Sequence, residues 1–96
     1  MRLDKFLKVS RLIKRRPVAK LVVDNNKVKI NGKVAKAGTE LKVGDVIEVE
    51  YYSRYIKAEV IEVPSGNVSK DYASELIKIL ETKKLEVEEE DSLEDL

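Results

Sequence analysis

The apolar residues of this chain change their period once. As far as Asp24 they recur at helical spacing: Leu3, Phe6 and Leu7 fall at i, i+3 and i+4 with the small Ser10 at i+7, and Val18, Leu21 and Val22 repeat the pattern. From Val28 they alternate, first in Val28-Lys29-Ile30 and then in the β-branched run Val46-Ile47-Glu48-Val49-Glu50. Helices first and strands afterwards give an α+β chain, with two N-terminal helices packed on a small, mostly antiparallel sheet.

Turn chemistry divides these stretches. Pro17 suits the first position of the second helix, because its φ is already helical and its missing N–H is not needed there. Ala19 allows that helix to approach the first. Asp24-Asn25-Asn26 should end it, since asparagine tolerates the left-handed conformation. Asn31-Gly32 is a hairpin signal, with the return beginning at Val34. Lys36-Ala37-Gly38-Thr39 reads as a loop, Leu41 as a buried spacer and Val43-Gly44-Asp45 as the turn into a strand from Val46 to Tyr52. Ser53-Arg54 reverses the chain into Tyr55 to Val63, and Pro64-Ser65-Gly66-Asn67 ends a sheet of three to five strands. Ser69 would cap a last helix, with Asp71 in its first turn and a stripe of Tyr72, Leu76, Ile79 and Leu80 carrying it to about residue 84. The chain thus divides into a body over 1–63, a helix packed on it over 64–84 and an acidic tail over 85–96, expected to be disordered or a frayed helical extension.

Charge is as unevenly placed as period. Residues 1–20 hold eight Lys or Arg and a single acid, Asp4, in a chain whose formal net charge is +1. Residues 71–96 hold three cations and ten carboxylates. A basic body with an acidic end points to a nucleic-acid partner. Between the two helices lie residues 11–16, with Leu12-Ile13 as their apolar anchor; if this stretch continues or closely follows helix one, Arg11, Lys14 and Arg15 share a face, and Arg16 and Lys20 form an i, i+4 pair at the start of helix two. Cations so placed stand about 5 to 6 Å apart, close to the spacing of phosphates along a strand. Arginine dominates this cluster, as suits several-pronged contact with phosphate. Lys8 points away from the apolar face and joins the set. A solvated face that keeps a small domain soluble is the simpler reading of any one lysine; the cluster as a unit favours binding.

Composition removes other functions. Without histidine or cysteine the chain lacks the commonest general base, thiol nucleophiles and nearly all zinc sites. Its four glycines stand apart, so no phosphate-cradling loop exists. Neither enzyme activity nor a cofactor or metal is expected. No apolar run reaches membrane-spanning length and no signal peptide is visible, so a cytoplasmic protein with no membrane partner is expected. Tyr51, Tyr52 and Tyr55 could stack on bases but more often pack a sheet face. The acidic tail could solubilise the chain, compete with RNA for the basic face or dock a basic partner, with the first the simplest.

Arg2-Leu3-Asp4 with Phe6-Leu7, then Arg11, Lys14, Arg16 and Ala19, then Val28, Ile30-Asn31-Gly32, Lys36 and Gly44-Asp45-Val46-Ile47, together resemble the ribosomal-protein-S4-type RNA-binding domain over roughly residues 1–50. Two positions depart from it: Arg15 stands where a small hydroxyl residue is usual, and Asn26 where glycine is usual. The resemblance implies the S4-like (αL) fold and makes Arg2, Arg11, Lys14 and Arg16 the RNA contacts, to which charge geometry adds Lys8, Arg15 and Lys20. The short length and the Lys14-Arg15-Arg16 run look most like the stand-alone branch acting on ribosomes. That branch implies a monomer bound to 23S rRNA of the 50S subunit and to peptidyl-tRNA, beside an RqcH-type factor that extends stalled chains with alanine. A large-subunit recycling or rRNA assembly factor, and an adaptor for acidic proteins, remain the alternatives.

Overall fold

The computed structural model describes residues 1–51 and 53–84, so the expectations for Tyr52 and for the acidic tail 85–96 lie outside the described residues. Helix α1 spans Leu3–Val9 and helix α2 spans Arg16–Asp24. Strands β1 (Val28–Ile30), β2 (Lys33–Val34), β3 (Val46–Tyr51) and β4 (Arg54–Val60) follow, then a short helix α3 (Lys70–Ala73), a 3-10 turn over Ser74–Leu76 and strand β5 (Ile77–Lys84). All strand pairs are antiparallel and the sheet order is β2-β1-β3-β4-β5. This is the expected α+β architecture.

The core lies between the two long helices and one face of the sheet. Leu3, Phe6 and Leu7 of α1 and Val18, Ala19, Val22 and Val23 of α2 meet Val28, Ile47, Val49, Ala58 and Val60, all buried. Leu21, expected in the α2 stripe, is 39% exposed, and Val23 is buried in its place. The helix turns about 100° per residue, and its buried arc is centred on the Val18–Val22 side rather than on Leu21.

Helix ends are closed in ways that position the basic stretch. No side chain caps the start of α1; instead Leu3 N–H donates to the Thr39 carbonyl at 2.8 Å and Asp4 N–H to that of Ala37 at 3.2 Å. The loop over 36–39 therefore satisfies donors that a helix start leaves open. At the end of α2, Asn26 sits at φ 61° and its N–H reaches Val23, while Lys27 N–H reaches Val22. This pair of bonds is a Schellman closure, with asparagine supplying the left-handed residue.

The Asn31-Gly32 turn forms as expected, with φ of 52° and 86° and Ile30 opposite Lys33. The Asn31 side chain accepts from Val46 N–H at 2.9 Å and donates to Asp45 Oδ1 at 3.1 Å, so the turn also fixes where β3 begins. Gly44, at φ 95°, makes the preceding bend.

The expected C-terminal helix is corrected. Ser69 does cap a helix, its hydroxyl accepting from Tyr72 N–H at 3.2 Å, but α3 lasts one turn. Residues 77–84 form β5, paired with β4 from Val60↔Ile77 to Arg54↔Lys84. Leu76, Ile79 and Leu80 match a helical stripe only by coincidence. Ile77, Ile79 and Thr82 are β-branched, and without β5 the backbone of β4 would be left with an open edge. A register shift at Lys57/Ala58 accommodates the pairing.

Candidate nucleic-acid interface

Between the two helices the chain does not continue α1. Ser10 ends the helix, Arg11 adopts φ 63°, and residues 10–15 form a turn and bend before Arg15 caps α2. The segment follows α1 without being helical, so Arg11, Lys14 and Arg15 do not share the helical face that their spacing predicted. Leu12 and Ile13 are buried and pin the segment to the core, and the three cations project from it into solvent. Among the bonds that hold its shape, Arg11 N–H donates to the Lys8 carbonyl at 3.0 Å, Ile13 N–H to the Leu7 carbonyl at 3.0 Å, and the Tyr51 phenol to the Leu12 carbonyl at 2.6 Å. Tyr51 is thus a half-buried strut between the end of β3 and the basic segment.

All seven sequence-predicted residues, Arg2, Lys8, Arg11, Lys14, Arg15, Arg16 and Lys20, are exposed. They fall into three groups. Arg2 precedes α1 and Arg16 opens α2, and both are drawn to Asp4, with Arg2 Nε at 3.3 Å from Oδ1 and an Arg16 guanidinium nitrogen at 3.7 Å from Oδ2. Asp4 is 3% exposed, and its Oδ1 also accepts Lys5 N–H at 2.8 Å. The Arg2 guanidinium lies across Gly38, where an added Cβ would stand 3.9 Å from it. Arg11, Lys14 and Arg15 form the second group, lining one wall of a groove over the sheet. Lys8 and Lys20 lie apart on the exposed faces of their helices, Lys20 paired with Asp24 at 3.8 Å.

Sequence reasoning missed the opposite side of that groove. Arg54 at the start of β4 stands across from Lys84 at the end of β5, with Lys83 beside them 5.5 Å from the ring centroid of Tyr55. A helix over 77–84 would have scattered these residues; the strand gathers them. The central place of Asp4 was also missed, and its signal was present: it is the lone acid in the basic stretch. Among the described residues no cluster of His, Cys, Asp or Glu is placed to hold a metal ion, and no helix is long and apolar enough to cross a membrane.

The arrangement can present positive charge in fixed geometry to a polyanion, and comparisons with known proteins bear on which. The S4 domain family matches residues 1–47. The RQC P-site tRNA stabilizing factor of Streptococcus pneumoniae is 45% identical over 83 residues, covering 86% of this chain and 94% of that protein. The factor of the same name from Bacillus subtilis is 45% identical over 85 residues, covering 88% and 98%. Among solved structures, heat shock protein 15 of Vibrio cholerae, described as trimeric, superposes with a TM-score of 0.75 at 25% identity, over 82% of this chain and 80% of that one. A hypothetical protein solved in solution gives 0.71 at 34% identity, over 82% and 95%. The chain belongs to the S4-domain family, within the branch that includes the RQC P-site tRNA stabilizing factors.

Proposed function

We propose that this chain is a non-enzymatic, cytoplasmic RNA-binding protein that binds 23S rRNA of obstructed 50S subunits and steadies peptidyl-tRNA in the P site. In that position it supports an RqcH-type factor as it adds alanine to the stalled chain. The observation that carries this reading is the pairing of Arg2 and Arg16 on the buried Asp4, which makes one preorganised cationic point where the two helices begin. The names of the relatives, similar over most of the chain, supply the tRNA and the P site. Arg2, Arg11, Lys14 and Arg16 are the principal RNA contacts, with Lys8, Arg15 and Lys20 adding charge. Such a face reads phosphate and helix shape rather than base sequence. Association with 50S particles should then fall steeply with salt. Sedimentation of the full chain with purified 50S particles at moderate salt tests the reading: Arg16→Glu should abolish co-sedimentation, and unchanged association would refute this face.

A further inference from the structure

The helix-facing side of the sheet is not covered to its edge. Cross-strand partners in an antiparallel pair point the same way, so Ile77, Ile79, Thr82 and Lys84 share the side of Val60, Ala58, Ile56 and Arg54. Over β3 and the far half of β4 that side is sealed, and Ala58 and Val60 are fully buried. Over β5 it is open: Ile79 is 49% exposed, and Ile56 and Ile77 are half-buried. The result is a groove with an isoleucine floor between the segment over 10–15 and α3. Its rim is cationic, with Arg11, Lys14 and Arg15 on one side and Arg54, Lys70 and Lys84 around the rest, and Asp71 is the only acid among the described residues that line it.

A ribose–phosphate strand satisfies the rim but leaves the apolar floor unmatched. A segment both acidic and apolar satisfies both. The chain carries one that begins directly after Lys84, itself a lining residue: Leu85-Glu86-Val87-Glu88-Glu89-Glu90-Asp91-Ser92-Leu93-Glu94-Asp95-Leu96, with seven carboxylates, four aliphatic residues and no cation. Twelve residues can reach about 40 Å, beyond the 38 Å longest extent of the domain. Tethering raises the local concentration to about the millimolar range, so even a millimolar affinity fills the groove about half the time.

We propose that this groove is the docking site of the chain's own acidic segment 85–96, which screens Arg11, Lys14 and Arg15 until RNA displaces it. The displacement rests on the RNA-binding function proposed above; the docking does not.

The chain has no cysteine, so Ser92→Cys offers one attachment point for a nitroxide spin label on the full chain. Without RNA and at low salt, amide broadening should concentrate on Ile77 to Thr82 and Leu12 to Arg15, fade at high salt and weaken with Lys84→Glu. Broadening centred elsewhere, or none, overturns docking. Equal broadening in a mixture of isotope-labelled unmodified chain and unlabelled spin-labelled chain would identify a second copy as the occupant, which also overturns it. Added 50S-derived rRNA should relieve the broadening, and replacing Glu86, Glu88, Glu89 and Glu90 by Gln should tighten rRNA binding about twofold to fourfold at low salt. Broadening that persists with rRNA bound overturns the displacement. If the chain binds no rRNA, the proposed function fails, while the RNA-free measurement still decides docking.

Discussion

The carboxylate of Asp4 in α1 lies 3.7 Å from the guanidinium of Arg16 in α2. The same carboxylate holds Arg2 at 3.3 Å, so one buried acid fixes two cations that otherwise share no element. Charge and position make opposite predictions for its removal. Asp4→Asn raises the net charge, which by charge alone would tighten RNA binding. If Asp4 acts by positioning, binding should instead weaken about fivefold to tenfold, equivalent to about 1 to 1.4 kcal/mol. Both guanidinium groups are more than half exposed, which limits the stability cost to about 1 kcal/mol. Filter binding to rRNA at fixed salt decides the point, with Glu75→Gln, an exposed carboxylate away from the pair, as the charge control.

Arg11 sits where a helix closes in the left-handed conformation, at φ 63°, a position that favours glycine. The strain of a side chain there is about 1 to 2 kcal/mol, partly offset by the extra freedom glycine has when unfolded. Arg11→Gly should therefore stabilise the fold by about 0.5 kcal/mol, a rise of about 2 to 4 °C in melting temperature for a domain of this size. The same change should weaken RNA binding. A residue kept for structure would lose stability when replaced, so thermal melts and binding on one variant separate the two roles.

Where local chemistry and tertiary packing agree, the sequence was sufficient. Asn26, Asn31-Gly32 and Gly44 each occupy the turn or cap that their backbone preferences demand, and Pro17 lies in the first turn of α2, one place after its opening residue Arg16. The main error arose where long-range pairing overrides a local pattern. Leu76, Ile79 and Leu80 fit a helical period while Ile77 and Ile79 fit alternation, and the open edge of β4 selects the strand. The link between the helices over residues 11–16, anchored by Leu12 and Ile13, was legible, but its shape was not, because burial of those two residues and the Tyr51–Leu12 bond set it. The candidate site was legible as charge, since all seven cations are exposed, but not as geometry. Asp4 contributes nothing to a charge count except one unit of the wrong sign.

Asn31 does three things at once: it takes φ 52° in the hairpin turn, accepts from Val46 N–H and donates to Asp45. Asn31→Ala should therefore cost about 2 to 3 kcal/mol, combining the unfavourable backbone conformation with two lost bonds. Asn31→Gly relieves the backbone term and should cost about 1 kcal/mol less than alanine. Urea denaturation of the two variants tests this separation; equal losses would mean that the backbone conformation carries no part of the effect.

Tyr55 gives the fold a signature at high pH. Its phenol donates to a Glu48 carboxylate oxygen at 2.6 Å, and this bond, then burial and the neighbouring charges of Glu48, Glu81 and Glu50, push its pKa up to about 12. The folded value lies above the unfolded one near 10, so the neutral phenol's contribution to stability is fully present below about pH 10 and is lost as pH rises toward 12. Glu48→Gln removes the charge that opposes ionisation, so Tyr55 should titrate nearer its ordinary value and that part of the stability slope should flatten. Tyr72 is also raised, through its bond to Glu62, and serves as the internal reference because Glu48→Gln should leave it unmoved. Following the tyrosine ring carbons by NMR through the alkaline range in both proteins checks the assignment: a Tyr55 midpoint insensitive to Glu48 would remove the carboxylate as its cause.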